Sequence, residues 1–411
     1  MTTRTQQPAE SASFAENQPE LLQLVEAPVE VQTSRGYYHS LREILQQPST
    51  WLATAQTMPE AAARVSRCVS GIKSLVLTGS GSSEYAGGCV RLPLQNSLGI
   101  VCESIGSGTL LTLADQALPP ERPSLLVSLS RSGDSPESLA TVSMLLQREP
   151  ELRHLVLTCN AEGALARTYL NDRQATVVTL DPRTNDRSLV MTSSFTNLVL
   201  AARFLGYLDQ PAAYKTLCHA LSQIAERMLS SSFGTLAGFG RKNFDRVVYL
   251  GSGSQLDAAR ESALKMMEMT AGRICVLYET YLGLRHGPMS FVSENTLVVG
   301  FLSSDARRRA YELDLLGELT RKKLGLAKLV IGDHVPREGF SGEDAIIECD
   351  GLAEAGDENA PVIDVLAGQL LAFFRCLHEG LKPDSPSDSG VISRVVESFT
   401  LHNPPWDQDG P

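Results

Sequence analysis

A chain of 411 residues, 43% of them apolar, has enough material to fill the cores of two ordinary domains. A formal charge of -11, with 36 Lys and Arg against 47 Asp and Glu, leaves no basic stripe of the kind nucleic-acid binding relies on. The eight cysteines are scattered, with neither a C-x-x-C pair nor a short Cys/His spacing, and read as buried thiols in a reducing compartment rather than as a metal or disulfide framework.

The start of the chain is polar and lacks an apolar signal core, and no uninterrupted apolar run reaches bilayer length, so a cytoplasmic protein without a membrane partner is expected. Residues 1–45 read as an N-terminal extension, rich in Gln, Glu, Ser and Pro to about position 35, mobile in part, with a short helix around Leu21–Val25. From Leu41 onward apolar β-like runs alternate with longer helical patterns, which signals an α/β fold with parallel strands.

That pattern repeats. Leu75 to Ser82 (LVLTGSGS) recurs as Val247 to Ser254 (VVYLGSGS), an offset of 172 residues (251 minus 79). The strand Leu125–Ser130 matches Leu297–Leu302 at the same offset, and Leu155–Leu157 matches Leu329–Ile331 at 174 (329 minus 155). Three strand starts at nearly one spacing predict a tandem duplication of one α/β unit, with copies at 46–215 and 216–380 and a C-terminal tail at 381–411. The end of that tail, Asn403-Pro404-Pro405-Trp406, is open between docking on the body and hanging free.

In open parallel sheets ligands collect beyond the carboxyl ends of the strands. The richest such loop is Ser130-Arg131-Ser132-Gly133-Asp134-Ser135, between an apolar strand and a helical pattern. Unpaired N–H groups at a helix start, serine hydroxyls and a glycine that permits close approach suit a phosphate; a plain Ser135 cap is the simpler alternative. The first loop, Gly79 to Glu84, invites a dinucleotide with Glu103 as ribose partner, but Glu84 stands where the third glycine belongs and its carboxylate would repel a pyrophosphate. Ser82 and Ser83 suit a small molecule better. The second copy keeps this first loop, while Ser303-Ser304-Asp305 has lost the Ser-x-Ser-Gly pattern.

What the second copy offers instead is Glu261, Lys265 and Glu268, spaced i, i+4, i+7 on one helix face over Asp257–Thr270. By spacing alone they make a solvated face with an ion pair. Eighteen residues on, Arg285-His286-Gly287-Pro288 sets a histidine in a loop, a natural proton carrier near neutral pH.

Taken together and in this order, Gly79–Ser83, Ser130–Ser135, Glu261-Ser-Ala-Leu-Lys265-x-x-Glu268 and Arg285–Pro288 resemble the sugar isomerase (SIS) domain family over about residues 46–395, including the isomerase half of glucosamine-6-phosphate synthase. Asp186-Arg187, Met191-Thr192-Ser193-Ser194 and the tail Pro383–Gly390 are similar to the tagatose-6-phosphate ketose/aldose isomerase group, which is associated with galactosamine-6-phosphate deamination. The resemblance implies two flavodoxin-like units, no metal or cofactor, and a homodimer whose active site borrows a loop from its neighbour. It makes Glu268 the base between C1 and C2, His286 the group assisting ring opening, and Lys265 and Glu261 supporting positions. Ser82, Ser83, Ser130, Arg131, Ser132 and Ser135 would hold the phosphate, and Thr192 and Ser193 would line the sugar. The synthase brings a C-terminal lysine into its site; here Arg394 stands nearest that place. The expected function is an isomerase or deaminase of a phosphorylated amino sugar, galactosamine-6-phosphate before others, giving tagatose-6-phosphate and ammonia. The alternatives are a plain isomerase of a neutral hexose phosphate and a non-catalytic sugar-phosphate sensor.

Overall fold

A computed structural model describes residues 18–387, 390–397 and 399–402. Ser389 of the tail motif and Asn403–Trp406 lie outside these described residues.

Ten strands form two five-stranded sheets. The first comprises β1 (Ser74–Thr78), β2 (Val101–Ser104), β3 (Ser124–Ser130), β4 (Leu152–Thr158) and β5 (Ala175–Thr179), in the order β2-β1-β3-β4-β5. The second comprises β6 (Arg246–Leu250), β7 (Cys275–Glu279), β8 (Thr296–Phe301), β9 (Ala327–Gly332) and β10 (Ala345–Glu348), in the order β7-β6-β8-β9-β10. Every pairing is parallel. The order is the same in both sheets, and so is the register: Ser74 faces Ser124 in the first, Arg246 faces Thr296 in the second, each shifted by 172. Strands β1, β3, β8 and β9 are buried along their whole length, as apolar runs in a sheet covered on both faces must be. This is the expected α/β duplication.

The helices that matter for the site are α1 (Ser82–Leu98), α2 (Pro136–Arg148), α3 (Ser193–Arg203), α4 (Pro211–Gly240), α5 (Ser254–Met269) and α6 (Pro361–His378). Helices α1 and α5 each follow the first strand of their copy, through Gly81 at φ 56° and Gly253 at φ 60°, conformations that favour glycine. They pack against one another closely enough that a Cβ on Gly88 would meet the Asp257 carboxylate at 2.3 Å. Helix α6 lies as tightly on the other side of α5, where a Cβ on Gly368 would meet Ser262 Oγ at 2.2 Å. One apolar cluster joins Leu77 and Val127 of the first sheet to Val247 and Val299 of the second, so the copies share a core.

One sequence expectation changes. From Gln18 the N-terminal arm is packed: Leu21 and Tyr37 are fully buried in the shared core, and Gln18 Nε2 donates to Ser230 O of α4 at 2.7 Å. The polar composition hid this because the helix Pro19–Glu26 buries only Leu21 and Leu24. Helix α6 is, by length and composition, apolar enough to cross a membrane, although Asp364, Gln369 and Arg375 interrupt its apolar run. Its apolar face is spent on the core, with 89% of the segment buried in the fold.

Candidate active site

The loops after β1 and β3, the C-terminal half of α5 and the chain's tail enclose a cavity of about 610 Å³. Ser82, Ser83, Ser130, Arg131, Ser132 and Ser135 all line it, and so do Lys265, Glu268 and Arg394. First-copy loops thus meet a second-copy helix, because α1 and α5 are packed side by side.

In the loop after β3, Ser130 Oγ accepts from Gly133 N (2.9 Å) and Ser132 Oγ from Asp134 N (3.2 Å), while Gly133 takes φ 75°. These turns wrap the segment around the start of α2, where Pro136 occupies the first turn and the helix dipole favours an anion. A Cβ on Gly133 would meet the Gly163 backbone at 3.2 Å.

On α5 the expected solvated face is buried. Lys265 and Glu261 have side chains with 0% exposure and Glu268 has 22%, so Glu268 is the most open of the three; Lys265 also lines the cavity, and Glu261 does not. The Lys265 ammonium sits 3.3 Å from Glu261, contacts Glu268 directly, and donates to Ser82 Oγ at 3.1 Å. Burial works against that charge, yet Glu261 and Glu268 together hold the ammonium above the usual lysine value. Burial pushes the Glu261 carboxyl up to about 7 despite Lys265 beside it, with Glu268 adding to the rise.

Other expected groups serve differently. Arg131 donates to Leu189 O (2.9 Å) and Arg394 O (2.5 Å), so its guanidinium fastens two chain segments over the cavity instead of pointing free at a phosphate. Thr192 and Ser193 are fully buried and lie outside the cavity lining: Asp186 accepts from Thr192 N (2.8 Å), Ser194 N (2.8 Å) and Ser193 Oγ (2.5 Å), capping α3. Of the same segment it is Leu189 and Met191 that line the cavity. His286 is exposed in the loop after β7 and is not among the cavity's lining residues, while Arg285 is engaged by Asp314 (2.5 Å) and Glu318 (3.4 Å).

Of the tail, sequence reasoning singled out only Arg394 as a site residue. Val391, Ile392, Ser393 and Val396 roof the cavity with no periodic pattern to announce them. Glu137, in the first turn of α2, also lines it, and its place two residues after Ser135 could have flagged it. Among the described residues one group has metal-ligand spacing, Asp333, His334 and Glu348, and it lies apart from this cavity.

The SIS domain family profile matches residues 242–335. D-galactosamine-6-phosphate deaminase AgaS of Escherichia coli is 33% identical over 371 residues, covering 89% of this chain and 95% of that protein. The chain belongs to the AgaS family of SIS-domain proteins. The AgaS of Shewanella sp. (strain ANA-3) is 30% identical, with 90% and 93% covered. Among solved structures, tagatose-6-phosphate ketose/aldose isomerase from Escherichia coli superimposes with TM-score 0.79 at 31% identity, over 86% of this chain and 95% of that one. The C-terminal domain of glucosamine-fructose-6-phosphate aminotransferase from Francisella tularensis shares the fold (TM-score 0.72, 19% identity, 84% of this chain and 98% of that one). The AgaS matches cover 89% and 90% of this chain and so run through both copies.

Proposed function

We propose that this AgaS-family chain converts galactosamine-6-phosphate and water into tagatose-6-phosphate and ammonia. The observation that carries the reading is Glu268, a carboxylate open to the same cavity as the serine loop and backed by the buried Lys265. The phosphate is held by Ser130, Ser132 and Ser135 at the start of α2, with Ser82 and Ser83 closing the other side.

In the open-chain aldose, Glu268 takes the proton from C2 and returns it to C1. The electron pair of the C2–H bond passes through an enolamine, whose charge developing on O1 the neighbouring ammonium of Lys265 stabilises; O1 takes up a proton, and the amino nitrogen gives one up as C1 is protonated. The product is a C2 ketimine. Water adds to C2, the C–N bond breaks, ammonia leaves, and the ketone of tagatose-6-phosphate remains; the net step is a hydrolysis that requires no redox partner. His286, on the outer surface of its own chain, serves ring opening in the cavity of a second copy, which makes the working unit a homodimer with the site at its interface. The setting is the cytoplasm, where phosphorylated sugars are kept.

The test is ammonia release from galactosamine-6-phosphate and glucosamine-6-phosphate beside a Glu268→Gln variant whose fold is checked by circular dichroism. Ammonia from the galacto compound alone, abolished in the variant, is the expected result. No ammonia from either, while both raise the melting temperature, would replace this reading with an isomerase of neutral sugars or a sensor.

A further inference from the structure

The loop after β8 stands where the serine loop stands after β3, and it too opens a helix, Ala306–Arg321. Its donors are already taken. Asp357 accepts from Ser304 N at 2.6 Å and from Asp305 N at 3.1 Å, and pairs with Arg308 at 2.9 Å. Glu312 accepts from Ser303 N at 2.8 Å and from Ser303 Oγ at 2.7 Å. The Asp357 side chain is only 6% exposed. Two backbone N–H groups at a helix start plus a guanidinium form the donor set a phosphate monoester would use, and here one carboxylate holds all three.

The first copy shows what changed. Asp186 precedes α3 as Asp357 precedes α6, 171 residues apart (357 minus 186). Asp186 turns inward to cap its own helix at Thr192 N and Ser194 N, leaving the loop after β3 open to the cavity. Asp357 instead reaches across to the neighbouring loop.

We propose that the second copy retains an anion cradle that Asp357, with Glu312 behind it, keeps filled from within the chain. Asp357 stands in for a phosphate group, so each chain presents one phosphate site and the second copy is closed to free phosphate and sugar phosphates alike.

The experiment counts inorganic phosphate bound per chain, by isothermal titration, in the wild type and in an Asp357→Ala, Glu312→Gln double variant. The variant is expected to bind one phosphate more than the wild type and to release ammonia at the wild-type rate. Exchange of the Ser304 and Asp305 amides with deuterium should be at least tenfold faster in the variant and slow again when phosphate is added. A folded variant with the wild-type count, or with amides as protected as before, overturns the proposal. Should the double variant fail to fold, Asp357→Asn replaces it: faster exchange at these two amides supports the cradle and unchanged exchange refutes it. Because the count is a difference, a wild type that binds no phosphate would refute the reading of the first copy without touching this one.

Discussion

The ammonium of Lys265 donates to the hydroxyl of Ser82 at 3.1 Å although 183 residues separate them. This bond joins helix α5 of one copy to the first loop of the other, and the same ammonium sits between Glu261 and Glu268. Lys265→Met should therefore act on stability as well as on rate, because it strands a fully buried carboxylate. Loss of one partner from a buried pair costs about 3–5 kcal/mol. Glu261 has a folded value near 7 against the usual 4.5, so it holds a proton in the fold at pH values where the unfolded chain gives it up. Its ionised form weighs against the fold as pH rises through that window, and it does so more without Lys265. Urea unfolding should show the penalty at about pH 8 and a clearly smaller one at about pH 5.5. Equal penalties at both would mean that Glu261 is not the stranded group.

His286 and Glu268 lie on the same chain, yet only Glu268 lines the cavity. If a second copy supplies the histidine, Glu268→Gln and His286→Ala chains are each inactive, but co-expressed with different tags they form mixed dimers with one intact site. Random pairing should then restore about one quarter of wild-type ammonia release in a two-fold dimer. Purified mixed dimers without activity would mean that His286 does not serve the partner's cavity, and a His286→Ala chain active on its own would place it outside the reaction.

The duplication was legible in the sequence because strands buried on both faces read as apolar runs, and Leu75–Leu77 and Val247–Tyr249 kept both their run and their glycine turn. The serine loop was legible for the same local reason. The burial of Glu261 and Lys265 was not: their spacing equally suits a wet face, and only the close packing of α5 between α1 and α6 decides it. Nor could spacing show that Thr192 and Ser193 serve Asp186, or that Arg131 reaches Arg394, 263 residues away, since such bonds depend on where distant segments cross.

His154 on β4 is 1% exposed, and neither of its ring nitrogens has a hydrogen-bond partner. Burial holds it down to about 4 from the ordinary 6.5, so it stays neutral in the fold where the unfolded chain's histidine is already charged. A depressed histidine contributes stability that is complete above the ordinary value and is lost as pH falls through the folded one. At one pH unit per 1.36 kcal/mol the loss reaches about 3 kcal/mol by the acid end of that range. His154→Leu should flatten the stability profile over the same interval, measured by urea unfolding; a profile as steep as the wild type's would assign the acid sensitivity to other groups.

Arg394 is held from two sides: its side chain donates to Asp186 O (2.7 Å) and Asn185 Oδ1 (2.5 Å), and its carbonyl accepts from Arg131. These bonds pull Val391–Val396 across the cavity as a roof. Hydrogen bonds from a charged donor contribute about 1.5–3 kcal/mol each, so Arg394→Ala should release the segment rather than merely weaken it. Chymotrypsin should then cut faster at Phe399, and KM for the sugar phosphate should rise about tenfold while kcat falls less, the pattern of lost ground-state binding. Arg394→Lys separates position from charge. Lysine keeps the cation but lacks the fork that spans Asp186 and Asn185. A lysine variant as loose and as high in KM as the alanine one identifies Arg394 as the residue that seats the roof. A lysine variant that restores KM while the tail stays open to protease shows instead that the cation faces the substrate.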